Sequence, residues 1–468
     1  MKARLVVTAV TAAVIAGCTV GPNYRRPVVS TPAAFRSDPN PAPDAASLAD
    51  LKWFEVFEDA QLHELIRAAL SANHDMREAA ARVDAARANL GITRADQFPT
   101  IEAGAATTSL RTAASGSVPF PPGVDQTRTF GTASIGLSSF ELDLWGRLRR
   151  ATEAARADLL ASEENRKAVA TMLVGDVATA YFSLLELDME LTIAKRTLAG
   201  REDSLKLIQS RERGGLGTLL EVRQGEQLVH GAAQVIPNIE QLIEQTENQI
   251  SFLIGGRPGA IRRDRALTAQ QQPPAVPAGL PATLLERRPD IRAAEQNLIA
   301  ANAIIGVAKA AYFPRITLTG LLGFQSDQLS SLFSGPARIW QFVPQVTQPI
   351  FTAGRLRSNV RLAEAQQQIA LIQYERAIQG AFRDVSDALI QYQKVREIRG
   401  KQELLVATLR DRARMSYVRY EGGIDTLLNA LDADRDLFEA ELRLAQTTRD
   451  ELLAVVQLYR ALGGGWQI

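Results

Sequence analysis

The side chains best suited to metal or proton chemistry are few in this chain and lie far apart. His63, His74 and His230 could each ligate a metal or carry a proton, but they fall on separate stretches of the sequence. No Cys/His cluster has metal-ligand spacing, and no glycine-rich loop with a lysine could cradle a nucleotide phosphate. The expectation is therefore of no enzyme, no resident metal and no cofactor. Cys18 is the sole cysteine, so an internal disulfide is impossible. It follows Ile15-Ala16-Gly17, and small residues before a cysteine suit a signal peptidase that frees an acylated N-terminus. A diacylated Cys18 would anchor the chain to a membrane. Thr19 stands where an Asp tends to retain bacterial lipoproteins at the inner membrane, which points to the outer one.

The acidic residues suggest a second kind of site. Asp425, Asp432, Asp434 and Asp436 crowd one helix start. Carboxylates there favour the positive end of the helix dipole, and in a symmetric assembly an inward-facing Asp becomes a ring. The whole chain is nearly neutral, with 53 Lys+Arg against 52 Asp+Glu. That balance makes nucleic acid an unlikely partner.

The elements that must position these residues are written twice. Trp145-Gly146-Arg147-Leu148 returns as Ala353-Gly354-Arg355-Leu356, and Asp176-Val177 as Asp384-Val385. Gly214-Gly215 returns as Gly422-Gly423, Thr218-Leu219-Leu220 as Thr426-Leu427-Leu428, and Gly255-Gly256 as Gly463-Gly464, all 208 positions on. Upstream the offset is 215: Asp75, Arg77, Gly91 and Phe98-Pro99 match Asp290, Arg292, Gly306 and Phe313-Pro314. A seven-residue difference must lie between Pro99 and Trp145. One long unit has been duplicated, so the fold should be pseudo-symmetric.

The fold class expected is mixed α and β, mainly α. Residues 148–213 lack proline, and Val177, Leu184, Leu191, Leu198 and Leu205 recur every seventh position, a coiled-coil seam. Residues 218–254 repeat the pattern with Val222, Val229, Ile236, Ile243 and Ile250, with Pro237 expected to kink the run locally. Gly214-Gly215-Leu216-Gly217 reverses the chain between the two arms. Residues 355–462 form the copy of this antiparallel hairpin, turning at Gly422-Gly423-Ile424-Asp425. A further helix is expected over 61–97.

Two segments break the helical pattern. Residues 98–144 and 313–352 are rich in Gly, Thr, Ser and Phe, with alternation such as Ile316, Leu318, Gly320, Leu322 and Phe324 against Thr317, Thr319 and Gly323. Each reads as a hairpin of two strands of about 9–11 residues, enough to cross a bilayer. A loop such as Ser117–Gly123 would lie outside the cell. Four strands cannot close a barrel, and open edges are not tolerated in lipid. Two copies would give eight strands and a filled interior, three would give twelve and a lumen.

Several motifs carry a family resemblance. Cys18-Thr19-Val20-Gly21-Pro22-Asn23-Tyr24-Arg25-Arg26-Pro27, Leu284-Leu285-Glu286-Arg287-Arg288-Pro289-Asp290-Ile291, Glu141-Leu142-Asp143-Leu144-Trp145-Gly146-Arg147 and the ending Tyr459–Trp466 resemble the outer-membrane factor family. The resemblance is to its OprM/NodT lipoprotein branch, relatives of TolC. It implies a homotrimer in the outer membrane of a Gram-negative bacterium, with a twelve-stranded β-barrel above a periplasmic α-helical tunnel. It also implies a passive exit duct for small molecules in a tripartite efflux pump. The other parts would be a periplasmic adaptor and an inner-membrane transporter of the RND type. By motif match the periplasmic gate would be Tyr420, Leu428, Asp432 and Arg435. The adaptor would meet the turns Gly214, Gly215, Leu216, Gly217, Thr218 and Gly422, Gly423, Ile424, Asp425, Thr426.

The organisation expected is a signal peptide at 1–17 and a lipidated N-terminal and equatorial segment at 18–60. A first repeat at 61–256, an equatorial linker at 257–280, a second repeat at 281–464 and a tail at 465–468 follow. Rival readings are an outer-membrane duct for type I protein secretion, a periplasmic coiled-coil adaptor and a structural lipoprotein rod. An adaptor carries one helical hairpin, whereas this chain carries two, with two apolar strand pairs.

Overall fold

The computed structural model describes residues 19–29, 32, 35–36, 48, 51–113, 126–270 and 283–466. The signal segment, Cys18, the loop 117–123, residues 271–280 of the linker and residues 467–468 lie outside them. The helices are α1 Trp53–Val56, α2 Ala60–Ala72, α3 His74–Ala95, α4 Arg147–Arg213, α5 Leu219–Leu253, α6 Leu284–Arg287, α7 Pro289–Ala310, α8 Arg355–Glu421 and α9 Leu427–Ala461. The strands are β1 Thr100–Arg111, β2 Thr127–Leu142, β3 Arg315–Ser326 and β4 Arg338–Thr347.

The duplication reaches the backbone. α4 and α8 have 67 residues each, α5 and α9 have 35, α3 and α7 have 22, and β1 and β3 have 12. Gly146, Gly215 and Gly255 share left-handed φ values of 79°, 74° and 71° with Gly354, Gly423 and Gly463 at 83°, 71° and 82°. An L side chain rarely adopts that conformation, so glycine is repeated where the chain must reverse or end a helix. Since β1 and β3 still match at the larger offset, the extra seven residues of the first copy lie between Arg111 and Trp145.

Two expectations need correction. The single helix over 61–97 is two helices, α2 and α3, broken at Asn73. Asn73 is extended at ψ 140°, and its Oδ1 accepts from the amides of Asp75 and Met76 at 2.8 and 3.1 Å, which starts a new helix. β1, β2 and β3 are longer than expected, at 12, 16 and 12 residues, whereas β4 has 10.

Contacts divide the chain into two compact units. One comprises Met1–Pro27, Asp84–Ala161 and Ala294–Tyr374; the other comprises Val28–Val83, Ser162–Ala293 and Glu375–Ile468. Each draws on both copies. The first holds the antiparallel sheet, in the order β1-β2-β3-β4. The second holds the heptad seams. There Leu187, Ile193 and Ala194 of α4 pack with Ile239 of α5 and with Phe438 and Ala445 of α9. The α4 seam therefore meets two helices, which is why the position three after each seam leucine, as at Leu187 and Ala194, is buried as well.

Candidate functional site: the hairpin tips and the open sheet

In the second unit both helical hairpins turn by the same backbone device. Gly215 and Gly423 take the left-handed conformation, and the amides of Leu216 and Ile424 donate back to Arg211 and Arg419 carbonyls at 2.8 and 2.9 Å. The return helices then start differently. Thr218 and Glu221 form a reciprocal capping box at α5. At α9, Asp425 accepts from the Thr426 amide at 2.8 Å, Asn429 Nδ2 at 2.7 Å and Arg419 Nε at 3.2 Å. These donors, Asn429 first, hold its carboxyl below the ordinary carboxylate range. Leu216, Leu219, Leu220, Ile424 and Leu428 are all exposed, so the two tips present apolar side chains to their surroundings.

The four residues matched to a gate fall in two environments. Tyr420 is buried among Ile208, Val222, Leu427, Ala430 and Leu431, with the Arg211 guanidinium 4.9 Å above its ring. Its hydroxyl has no hydrogen-bond partner among the described residues. Leu428 is exposed; Leu427, one position earlier, is the residue packed against Tyr420. Asp432 and Arg435 are an exposed ion pair at 3.3 Å, one turn apart on α9.

All four crowded carboxylates are ion-paired: Asp425 with Arg419, Asp432 with Arg435, Asp434 with Arg201 and Asp436 with Arg412. Arg201 is the partner that sequence reasoning missed. It is buried, donates to Asp434 Oδ2 at 2.7 Å and to the Leu228 carbonyl at 3.0 Å, and lies over Phe438. The available signal was its register, three residues after Leu198, where the heptad calls for an apolar side chain. Among the described residues no group of His, Cys, Asp or Glu is arranged to hold a metal ion.

In the first unit the sheet separates its chemistry by face. The ladder pairs Leu322 with Trp340, Gly320 with Phe342, Ile316 with Val346, and Ile135 with Leu322. Because side chains alternate along each strand, these residues share one apolar face. Thr317, Thr319, Gln341 and Gln345 take the other. A bulge between Leu137 and Phe140, with Ser139 at φ 37°, adds one residue to β2. It keeps Phe140 opposite Leu318 on the apolar side. Trp340, Phe342 and Val346 are 79%, 58% and 65% exposed, so none of the described residues covers this part of the face. The outer edges of β1 and β4 are unpaired as well among the described residues.

A profile described as outer membrane efflux protein matches residues 65–256 and 280–464. The chain is 37% identical over 470 residues to the antibiotic efflux pump outer membrane protein ArpC of Pseudomonas putida, covering 100% of this chain and 96% of that one. The same figures hold for the toluene efflux pump outer membrane protein TtgC of the same species. The open-state crystal structure of the Neisseria gonorrhoeae MtrE outer membrane channel superposes with a TM-score of 0.86 at 32% identity, over 96% of this chain and 99% of that one. The chain belongs to the outer membrane efflux protein family. It is an outer-membrane channel component of an efflux pump.

For this family member the structure also explains the motif that follows Cys18. Arg26 grips Glu295 of α7 through two hydrogen bonds, at 2.7 and 2.5 Å, and Tyr24 donates to the same carboxylate at 3.0 Å. Arg150 donates to Asn23 Oδ1 at 2.6 Å, and Asn302 to the Pro22 carbonyl at 3.0 Å. Gly21 and Gly306 let the backbones touch: a Cβ on Gly306 would stand 2.8 Å from the Val20 carbonyl oxygen. Arg288 of the other motif donates to Asp290, Asp384 and the Ala461 carbonyl, tying the start of α7 to α8 and to the end of α9.

Proposed function

We propose that the chain is the lipid-anchored subunit of a trimeric duct, passing small molecules outward in a tripartite pump. The observation that carries this reading is the open four-stranded sheet, with one uncovered apolar face and two unpaired edges. Unpaired backbone groups cost several kcal/mol each in lipid, so β1 of one copy must pair with β4 of another. Three copies make twelve strands, and their polar faces then line a lumen. Acylation of Cys18 would hold each subunit at the membrane through the clamped segment that follows it. The duct itself does no chemistry. An inner-membrane transporter of the RND type supplies the energy, and a periplasmic adaptor bridges to the exposed leucines and isoleucine of the two tips. Tyr420, Leu428, Asp432 and Arg435 form the constriction between neighbouring copies. The cargo in the names of the two relatives, antibiotic and toluene, favours small molecules over a secreted protein.

Crosslinking in detergent, followed by conductance in planar bilayers, tests the reading. The expected result is crosslinking that stops at three copies, with ion-conducting channels. A water-soluble monomer with intact strands would overturn it, as would a dimer, whose eight strands leave no lumen. Mass spectrometry of the mature N-terminus should find acyl chains on Cys18, and an unmodified Cys18 would remove the anchor.

A further inference from the structure

The duplication supplies an internal control at the two strand-to-helix corners of the first unit. In the first copy the arginines that open the long helix are neutralised. Arg147 makes two hydrogen bonds of 2.8 Å to Glu141 of β2. Arg149 pairs with Asp143 at 3.2 Å, and Asp143 also caps the helix through the amides of Leu148 and Arg149. The next acid, Glu153, accepts from Arg150 at 2.7 Å.

The second copy keeps the arginines and loses the acids. Arg355 and Arg357 stand at the equivalents of Arg147 and Arg149, but Pro349 replaces Glu141 and Phe351 replaces Asp143. Arg361 replaces Glu153, which turns a negative charge positive. Arg355, Arg357 and Arg361 are exposed and have no ion-pair partner among the described residues. Glu364, the first acid along this helix, is already paired with Lys309 at 3.1 Å. Beside these cations Ile350 and Phe351 are 89% and 88% exposed. Gln348, two residues before Ile350, donates to the Tyr312 carbonyl at 3.0 Å, which adds exposed Tyr312 to the corner as a second aromatic ring beside Phe351.

Unpaired arginines beside uncovered aromatic and aliphatic side chains, at the end of a membrane-facing sheet, match the boundary between acyl chains and head groups. We infer that the β4-to-α8 corner is a binding site for anionic glycerophospholipid, with Arg355, Arg357 and Arg361 taking the phosphodiester and Ile350 and Phe351 lying against the upper acyl chains. The first-copy corner carries the same arginines but satisfies them internally, so only the second corner recruits lipid. The site rests on the membrane-spanning reading of the sheet.

The test uses full-length protein in non-ionic detergent, titrated with phosphatidylglycerol or with phosphatidylcholine of the same acyl chains, and read by native mass spectrometry. Phosphatidylglycerol should be retained at a concentration about five-fold lower than phosphatidylcholine or less. Arg355→Gln/Arg357→Gln/Arg361→Gln should abolish the preference, and the triple lysine variant should keep it. Equal retention of the two lipids by the wild type would overturn the inference. So would displacement by equimolar inorganic phosphate, which would mark a free-anion site. Loss of the oligomer in the glutamine variant would assign the arginines to a copy-to-copy contact instead. Wild-type protein that stays monodisperse without detergent would remove the membrane reading itself, a failure distinct from the others.

Discussion

Asn73 and Arg288, 215 positions apart, do the same work: Asn73 Nδ2 donates to the carbonyl of Leu253 at 2.9 Å, and Arg288 Nη1 donates to that of Ala461 at 2.9 Å. Each acceptor is the last residue of a return helix, α5 or α9. Each donor also sits at the break between a preceding helix and the next, so one side chain ends one helix and orients another. The arginine does more than the asparagine, because it also holds Asp290 and Asp384.

Arg288→Lys should therefore be poorly tolerated although it keeps the charge. A lysine cannot make the forked contact with Asp290 and reach the helix end at the same time. With only 11% of the Arg288 side chain exposed, the expected loss is about 2–3 kcal/mol. Thermal unfolding followed by circular dichroism should show a melting point lower by several degrees. An unchanged melting point would mean that the clamp contributes little.

Gly306→Ala and Gly91→Ala are matched substitutions at equivalent positions of the two copies. A Cβ at Gly306 would collide with the Val20 carbonyl and with Arg150 Cγ at 2.9 Å, whereas at Gly91 nothing lies within 4 Å. The first should loosen residues 19–27 and open Arg25 and Arg26 to trypsin. The second should leave cleavage unchanged and stabilise α3 by up to about 1 kcal/mol through helix propensity. Equal trypsin resistance of both variants would show that the close approach is dispensable.

Glu186 predicts a dependence on pH. Burial, then the hydrogen bond and negative charge of neighbouring Glu190, push its carboxyl up to about 8, against the opposing pull of Arg449. Gln446 faces the pair and donates to Glu190 at 2.9 Å. A pKa raised on folding means that the folded state binds the extra proton. Its stabilising contribution is complete below the unfolded value of 4.5 and is lost as pH rises through about 8. The melting point should fall over that interval, and Glu186→Gln should flatten the fall. A wild-type profile as flat as that of the variant would contradict this.

The tip residues lead to electrical predictions. Tyr420→Phe keeps the buried ring but removes a hydroxyl that has no partner within the described residues. Arg435→Ala releases Asp432 from an exposed pair worth about 0–1 kcal/mol. Together they should raise single-channel conductance in planar bilayers by weakening contacts repeated around the axis. Asp432→Ala should lower cation preference by removing a ring of negative charge. Wild-type conductance and selectivity in every variant, with the oligomer intact, would show these to be ordinary solvated helix residues.

Much of this architecture is legible in the sequence because it depends on local rules. The repeated glycine pairs mark turns that need a left-handed residue, and Pro289-Asp290 marks a helix start. The alternation in β3 and β4 marks the faces of the sheet. What escapes sequence reasoning depends on partners far along the chain. The break at Asn73 lies between two runs of helical pattern, and its distinguishing contact is a carbonyl 180 residues away. The bulge at Ser138-Ser139 is set by register against β3. The Arg201–Asp434 pair lies in a heptad whose other positions are apolar. Among the gate candidates the sequence does not tell apart two adjacent leucines: Leu428 is exposed, while Leu427 carries the packing around Tyr420.

One of the seven residues that the first copy carries in excess is the bulge at Ser138-Ser139. β4, the counterpart of β2, pairs with β3 without any such break. Excising Ser139 would therefore write β2 in the register of its own copy, and a variant that folds and inserts normally would mark the insertion as dispensable to the duplicated unit.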